Sequence, residues 1–393
     1  MVKIDTLEKR GIYTDLLRKF RDEGHNVYVV SPSERRDNKP TSLVKENGCN
    51  ILNVKTFNLQ KTNIIEKGVG ILAIEYQYLN AIKNNLKDVK FDLILYSTPP
   101  ITFSKVISYI KKRDNAFSYL LLKDIFPQNA VDLGMMKERG ILHKIFLKKE
   151  NKLYEVSDKI GCMSPANVKY IAQRHPGLID KLEVNPNSIE LTGISQSDKN
   201  IIRKKYNIPT NHVVFVYGGN LGKPQGIEFL REIIISSNEK ISNAYFLIIG
   251  NGTEYRHMLS WFNKIQPMNA MLIEFLPKQE YDELVKGSDV GMIFLNPNFT
   301  IPNFPSRLLT YLEFGLPVFS ATDSNTDIPE IIEKHRLGYG VISGDLNKAL
   351  EKISELTTDE NLRNQLGQNA NSFLKKNYDV TISFNKIIAS INV

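Results

Sequence analysis

Three stretches of this 393-residue sequence place small residues and cations where an anion could be met. The first, Val216-Tyr-Gly-Gly-Asn-Leu-Gly-Lys-Pro-Gln-Gly226, reads as the end of an apolar strand, a glycine-rich turn and a helix start. Glycines let a backbone come close to a ligand, and the free N–H groups of a helix start favour phosphate oxygens. Gly218, Gly219 and Asn220 are therefore candidate anion contacts, and Lys223 is the cation of the loop. A second turn, Gly250-Asn251-Gly-Thr253, follows the next apolar strand. In the third stretch, Asn303 to Val318, Ser306 is expected to cap a helix, Arg307 lies in its first turn and Gly315-Leu-Pro317 ends it. An arginine at a helix N-terminus opposes the helix dipole unless an anion lies there. Each turn alone could be a mere connection. Three of them at strand ends fit a ligand held at the carboxyl ends of parallel strands.

The first half offers a different chemistry. Asp124 follows the apolar run Phe117-Ser-Tyr-Leu-Leu-Leu122, and a carboxylate there could take a hydroxyl proton or hold a hydroxyl. It could equally be a turn aspartate beside Pro127. Gly11 would let the first helix N-terminus approach phosphates, or simply make a turn. Ser97 and Thr98, ahead of Pro99-Pro100, end a strand and are candidates for shaping a second substrate pocket. The six histidines show no metal-ligand spacing, and no Ser-His-Asp order or phosphate-loop lysine motif is present. No metal and no cofactor are expected.

These residues need a framework of strands with helices between. Leu7–Glu23, Ile64–Asn84 and Ile101–Arg113 read as helices. His25–Val30, Phe91–Tyr96, Phe117–Leu122 and Asp158–Met163 read as strands, and Ser164-Pro165 as a helix start. The second half repeats the style with apolar strands at His212–Tyr217, Ala244–Ile249, Ala270–Phe275, Val290–Leu295 and Pro317–Ala321, closing with helices over Asp359–Lys376 and Val380–Ile391. Alternation of this kind predicts parallel sheets covered on both faces. The expected fold is α/β, with residues 1–190 as one doubly wound domain, 191–376 as another, a join near Asn185–Gln196, and 377–393 as a helix returning to the first domain. One irregularity stands out: the opening strand, which would be central, is either a stub at Met1–Ile4 or lies upstream in a longer natural protein, and the second is expected.

The ordered series of the glycine loop, Ile249-Gly-Asn-Gly252 and Phe304-Pro-Ser-Arg-Leu-Leu-Thr-Tyr-Leu-Glu-Phe-Gly-Leu-Pro-Val318 resembles the nucleotide-sugar domain of retaining family 4 glycosyltransferases. The likeness extends over most of the chain. Glu8–Asp15 and Gly24-His25 are similar to the family's first loop, helix and strand. Asp124-Ile-Phe-Pro-Gln128 is similar to the Asp-Leu-Trp-Pro stretch of members that assemble capsule or O-antigen sugars, and Val184-Asn-Pro-Asn187 to the Pro-Asn before the second domain. The resemblance implies GT-B architecture: two Rossmann-like, doubly wound parallel-sheet domains facing a central cleft. It also implies retaining transfer of a hexosyl or N-acetylhexosaminyl group from a nucleotide diphosphate sugar, UDP-linked by expectation, to a lipid-linked saccharide. Gly11, Gly218, Gly219, Asn220, Gly250, Asn251, Ser306, Thr310 and Glu313 would then meet the donor, Ser97 and Thr98 the acceptor, and Asp124, Arg307 and Lys223 the chemistry.

The sequence departs from that pattern in ways that matter. The first phosphate loop usually carries an arginine and a lysine where Asn220 and Gln225 stand. The paired glutamates of many members fall on Pro302 and Thr310, so Thr310 or Glu313 is left to meet the ribose. Two rivals follow: a sugar-nucleotide epimerase of the same architecture, or a transferase-like subunit that binds a partner or glycan without turnover. The Asp-X-Asp mark of the other large transferase architecture is absent, so Arg307, Lys223 and helix dipoles are expected to replace a divalent ion.

Composition bounds the remainder. Apolar residues are 42% and charged residues 24%, an ordinary globular mix. Cys49 and Cys162 are too few for a disulfide framework, and no apolar run reaches the roughly 18 residues of a membrane span. Residues 1–190 hold 31 Lys/Arg against 22 Asp/Glu, so the whole surplus of +8 lies there. With Lys137–Lys149 mixing cations and apolar residues, that half suits an anionic acceptor or membrane surface; the same stretch also fits a domain-packing helix. The expected location is the cytoplasm, at the inner face of the cell membrane. Nucleic acid is not an expected partner, since no aromatic–basic platform accompanies the charge.

Overall fold

The computed structural model describes residues 3–58, 64–192 and 198–391, so the expected stub at Met1–Ile4 and the join at Asn185–Gln196 lie partly outside the described residues. The chain divides into two compact units, Met1–Glu190 with Asp379–Val393, and Leu191–Tyr378.

The first unit runs through α1 (Ile12–Asp22), β1 (Tyr28–Glu34), β2 (Ser42–Glu46), β3 (Cys49–Thr56), α2 (Ile64–Asn85), β4 (Leu93–Ser97), α3 (Ser104–Asp114), β5 (Phe117–Leu122), α4 (Gln128–Asp132), α5 (Ile141–Val156), β6 (Lys159–Cys162), α6 (Pro165–Arg174) and β7 (Leu182–Val184). Its strands form two sheets, β1-β3-β2 and β4-β5-β6-β7, parallel throughout except for β2 against β3. No described residue forms the expected opening strand. β1 and β4 are therefore sheet edges, and β4 is only half-buried while β5 behind it is buried. Apolar packing joins the two sheets instead: Val29, Ile51, Tyr119 and Leu121 share one core with Leu16 and Phe20 of α1. α1 starts at Ile12, later than the expected Leu7, because Gly11 caps it and donates its N–H to Asp15 Oδ1 at 2.9 Å. The buried Asp15 also pairs with Arg18 at 2.6 Å and accepts the Glu190 N–H at 3.0 Å, tying the first helix to the end of the unit.

β2 and β3 are elements the sequence reading lacks, although their signal is present. Asn47 and Gly48 both have positive φ (47° and 79°), as a two-residue type I′ hairpin turn requires, and Glu46 faces Cys49 across it.

The second unit comprises α7 (Lys199–Lys205), β8 (Val213–Gly218), α8 (Ile227–Lys240), β9 (Ala244–Ile249), α9 (Tyr255–Ile265), β10 (Ala270–Ile273), α10 (Lys278–Lys286), β11 (Val290–Phe294), α11 (Arg307–Glu313), β12 (Val318–Thr322), α12 (Ile328–Lys334), β13 (Gly338–Ile342), α13 (Leu346–Thr358) and α14 (Glu360–Asn377). Its strands are all parallel in the order β10-β9-β8-β11-β12-β13, so the direction of winding reverses between β8 and β11. β8, β9, β11 and β12 are buried almost throughout, which explains their near-continuous apolar runs. The last helix, α15 (Val380–Ile391), belongs to the first unit, where Phe384 packs edge-on against Phe20 with ring centres 4.8 Å apart.

A buried acid sits inside the first unit. Glu150 of α5 accepts from Tyr154 at 2.8 Å, and burial pushes its carboxyl up from 4.5 to about 7, the Tyr154 bond and Arg174 of α6 opposing only in part. Because the folded-state value is the higher one, this group's contribution is fully present at low pH and is lost as pH rises from 4.5 through about 7. Glu150→Gln keeps an acceptor for Tyr154 and removes the titration. Melting curves are expected to show the variant above wild type near pH 8, with the difference gone near pH 5.

Candidate functional site

The reversal point of the second sheet is physically open. β8 and β11 pair only through Val290 with Phe215 and Gly291 with Val216, and beyond that the ladder stops. Tyr311 of α11 fills the opening: its hydroxyl accepts the Gly218 N–H at 3.1 Å and donates to the Met292 carbonyl at 3.2 Å. Two glycines make room. A Cβ at Gly291 would lie 2.3 Å from the Tyr311 ring, and one at Gly218 would lie 2.2 Å from the Tyr281 hydroxyl.

Arg307 precedes Tyr311 by four residues and shares its face of α11. Its guanidinium lies 4.4 Å above the centre of the Tyr217 ring, and Nη2 lies 3.4 Å from where a Gly219 Cβ would be. Gly219 has φ +124°, a conformation reserved in practice for glycine. Nη1 is out of solvent with no hydrogen-bond partner. Burial opposes the charge, but the oxygens of Tyr217, Tyr311 and Tyr281 outweigh it and hold the guanidinium protonated. Burial also pushes the Tyr311 phenol up to about 12, Arg307 opposing. Among the described residues no carboxylate pairs with this half-buried cation, an arrangement with the chemistry to take up an anion.

The glycine turn is braced by its neighbours. Tyr217 donates its hydroxyl to the Asn220 carbonyl (2.8 Å), Asn220 Nδ2 donates to Gln225 Oε1 (3.1 Å), and the Gly222 N–H donates to the same oxygen (3.2 Å). Asn220 and Gln225 thus close the loop on itself. Lys223 is exposed, its carbonyl held by Asn296 at 2.9 Å. The second glycine turn packs under the first: a Cβ at Gly250 would lie 1.8 Å from the Gly219 carbonyl oxygen, and one at Gly252 would lie 2.3 Å from that of Leu221. Close backbone contact therefore accounts for both glycines. Asn251 Nδ2 donates to Glu274 at 3.0 Å, and the two residues help to line a groove of about 510 Å³ with Thr253, Tyr255, Arg256 and Leu259.

Along α11 the expected residues separate. Ser306 is exposed in a helical conformation and its side chain makes no cap bond, so the expected cap is absent. Thr310 is half-buried, one turn from Arg307 on the same side. Glu313 is buried, accepts from Thr192 at 2.9 Å, and lies six residues on, roughly 240° around the helix from Arg307. Of the two residues left for the ribose, only Thr310 accompanies Arg307.

In the first unit, Thr98 is a brace. Its buried hydroxyl donates to the Asp124 carbonyl (2.9 Å) and accepts the N–H groups of Lys123 and Asp124 (both 3.1 Å). The expected pocket contact at Thr98 is therefore replaced by a role in fixing the Asp124 loop. Burial raises the Asp124 carboxyl and pushes the Lys123 ammonium down to about 7. Ser97 bonds to Tyr13, whose phenol burial also raises and Asp124 raises further. Gly11 has extended backbone (φ 173°) and a Cβ there would make only an ordinary contact, so nothing in its conformation demands glycine. The sequence reading misses Tyr217, Tyr281, Tyr311, Glu274, Tyr13 and Lys123. For Tyr311 the helical spacing from Arg307 is the available signal; the others are brought in by packing.

With this geometry in view, residues 198–373 match the family model described as Glycosyl transferases group 1. Among curated relatives, the Pseudomonas aeruginosa protein named as glycosyltransferase WbjE is 24% identical over 339 residues, covering 82% of this chain and 80% of its own. Among solved structures, sucrose-phosphate synthase of Thermosynechococcus elongatus has a TM-score of 0.75 at 14% identity over 95% of this chain and 90% of that one. HepE of Anabaena, solved with UDP and glucose, has a TM-score of 0.69 at 14% identity, covering 97% and 95%. The fold is GT-B, α/β with doubly wound parallel sheets. The family match and the relative support a glycosyltransferase.

Tyr311→Phe leaves the Gly218 N–H and the Met292 carbonyl without their bridge. Denaturant titration is expected to show a loss of about 1–3 kcal/mol, the scale of an unsatisfied buried polar group. Nucleotide binding is expected to fall with it.

Proposed function

We propose that this protein transfers a hexosyl or N-acetylhexosaminyl group from a UDP-sugar to a lipid-linked saccharide acceptor in cell-surface polysaccharide synthesis, with retention at the anomeric carbon and without a metal ion. The observation that carries the reading is the half-buried Arg307 guanidinium beside Gly219 at the reversal point of the second sheet, its Nη1 out of solvent and without a hydrogen-bond partner. The UDP complex of HepE supports the choice of nucleotide, and the resemblance to family 4 enzymes supports retention.

In this mechanism the diphosphate leaves toward Arg307, Lys223 and the N–H groups of the glycine turn. Their arrangement favours charge that develops at the leaving oxygen, and such preorganised donors supply most of the acceleration in reactions of this type. The acceptor hydroxyl attacks from the face the leaving group vacates, so positioning matters more than a strong base. Asp124, raised by burial and steadied by Thr98, is assigned to the acceptor, holding its hydroxyl or taking its proton late in the step. Thr310 is assigned to the ribose. Among the described residues no helix is long and apolar enough to cross a membrane.

Calorimetric titration with UDP-glucose is expected to show Arg307→Ala weakened by about 1.5–3 kcal/mol, the scale of a charged hydrogen bond. Equal affinity in the two proteins overturns the donor site. Magnetic resonance of the donor with and without a saccharide acceptor separates transfer from epimerisation and from silent binding.

A further inference from the structure

We propose that the start of α5 and the loop before it form the surface by which this protein docks on an anionic lipid bilayer. The inference goes beyond the donor reading and does not depend on it. Four large apolar residues within eleven positions are exposed: Met135 (70%), Ile141 (80%), Leu142 (63%) and Ile145 (43%). Their exposure is not a matter of how the helix happens to be rolled, because its other face is already committed. His143 is buried and accepts the Arg139 N–H at 3.1 Å, Phe146 packs edge-on against Phe126 at 5.1 Å, and Glu150, Leu153 and Tyr154 continue the buried stripe. A clustered apolar patch on an otherwise polar surface marks an interaction site.

Charge decides the partner. Between residues 133 and 149 the chain carries five cations and the single acid Glu138, a net of +4. Lys137, Arg139, Lys144 and Lys148 are exposed around the apolar patch, while Lys149 is drawn to Glu75 at 4.0 Å. A second copy of the same surface would set cations against cations. Nucleic acid would leave the apolar side chains without a use. An anionic bilayer satisfies both components, with Ile141, Leu142, Ile145 and Met135 entering the acyl boundary while the cations remain among the headgroups. The Phe126–Phe146 contact ties this surface to the loop that carries Asp124, so docking would fix that loop at the depth where a lipid-linked saccharide is presented.

Flotation of the full-length protein with phosphatidylcholine vesicles, alone or with about one-third phosphatidylglycerol, tests the proposal. Binding is expected to the anionic vesicles only and to weaken at high salt. The triple substitution Ile141→Ser, Leu142→Ser, Ile145→Ser and the pair Lys144→Glu, Lys148→Glu are each expected to lower it at least tenfold while UDP-glucose affinity stays unchanged. Hydrogen exchange on the unsubstituted protein gives a second readout, with slowing across 135–148 expected when anionic vesicles are added. Equal binding to neutral and anionic vesicles, variants that float like wild type, no slowing of exchange, or a patch found by sedimentation to hold two copies together would each overturn it.

Discussion

The second unit depends on one hydroxyl. Where β8 and β11 part, the Tyr311 oxygen stands in for the next rung of the ladder, accepting the Gly218 N–H and donating its O–H to the Met292 carbonyl. The strands can neither close nor drift apart while it is there. Both of its partners are buried backbone groups that have no other way to be satisfied, so the constraint is stiff although each bond contributes only about 1 kcal/mol net. The same residue belongs to α11, and the helix it anchors presents Arg307 to the glycine turn.

Two arginines in this unit, Arg203 buried and Arg307 half-buried, show how differently the same side chain can be used. Arg203 gives its donors to the Gly287 and His212 carbonyls and pairs with Asp289, so its charge is fully answered within the fold. Arg307 lies on an aromatic ring among tyrosines, with Nη1 unanswered. Tyrosine faces hold a cation weakly and without consuming its hydrogen-bonding directions. The first arrangement is structural cement. The second leaves part of the guanidinium's hydrogen-bonding capacity unused.

Much of this was legible in the residues. The strands of the second unit are buried on both faces and so read as continuous apolar runs, which is why β8, β9, β11 and β12 can be placed by eye. Gly219 could be singled out because a turn after such a strand needs freedom of φ, and it has it. Gly250 looked the same in sequence, yet its missing side chain makes room for the Gly219 carbonyl, a long-range approach that no local pattern encodes. Glu313 could be counted onto α11 but not oriented until Thr192 was seen to hold it. In the β2–β3 hairpin the signal is split: β3 buries Ile51, Leu52 and Val54 but interrupts them with Asn50 and Asn53, β2 exposes its Leu43 and Val44, and the Asn47-Gly48 turn announces the pair.

The first unit takes core residues from both sides of the second unit in the chain. Val380, Phe384 and Ile387 join Leu16 and Phe20 in one apolar cluster, and the Val380 N–H reaches the Ile189 carbonyl at 3.0 Å. Topologically the second unit is an insertion, nested between the body of the first and its closing helix. During biosynthesis the amino-terminal body therefore leaves the ribosome with an open face, and the nested unit is whole before its host is. A nascent chain of this design completes its nested unit before the face that α1 offers to α15 can be covered.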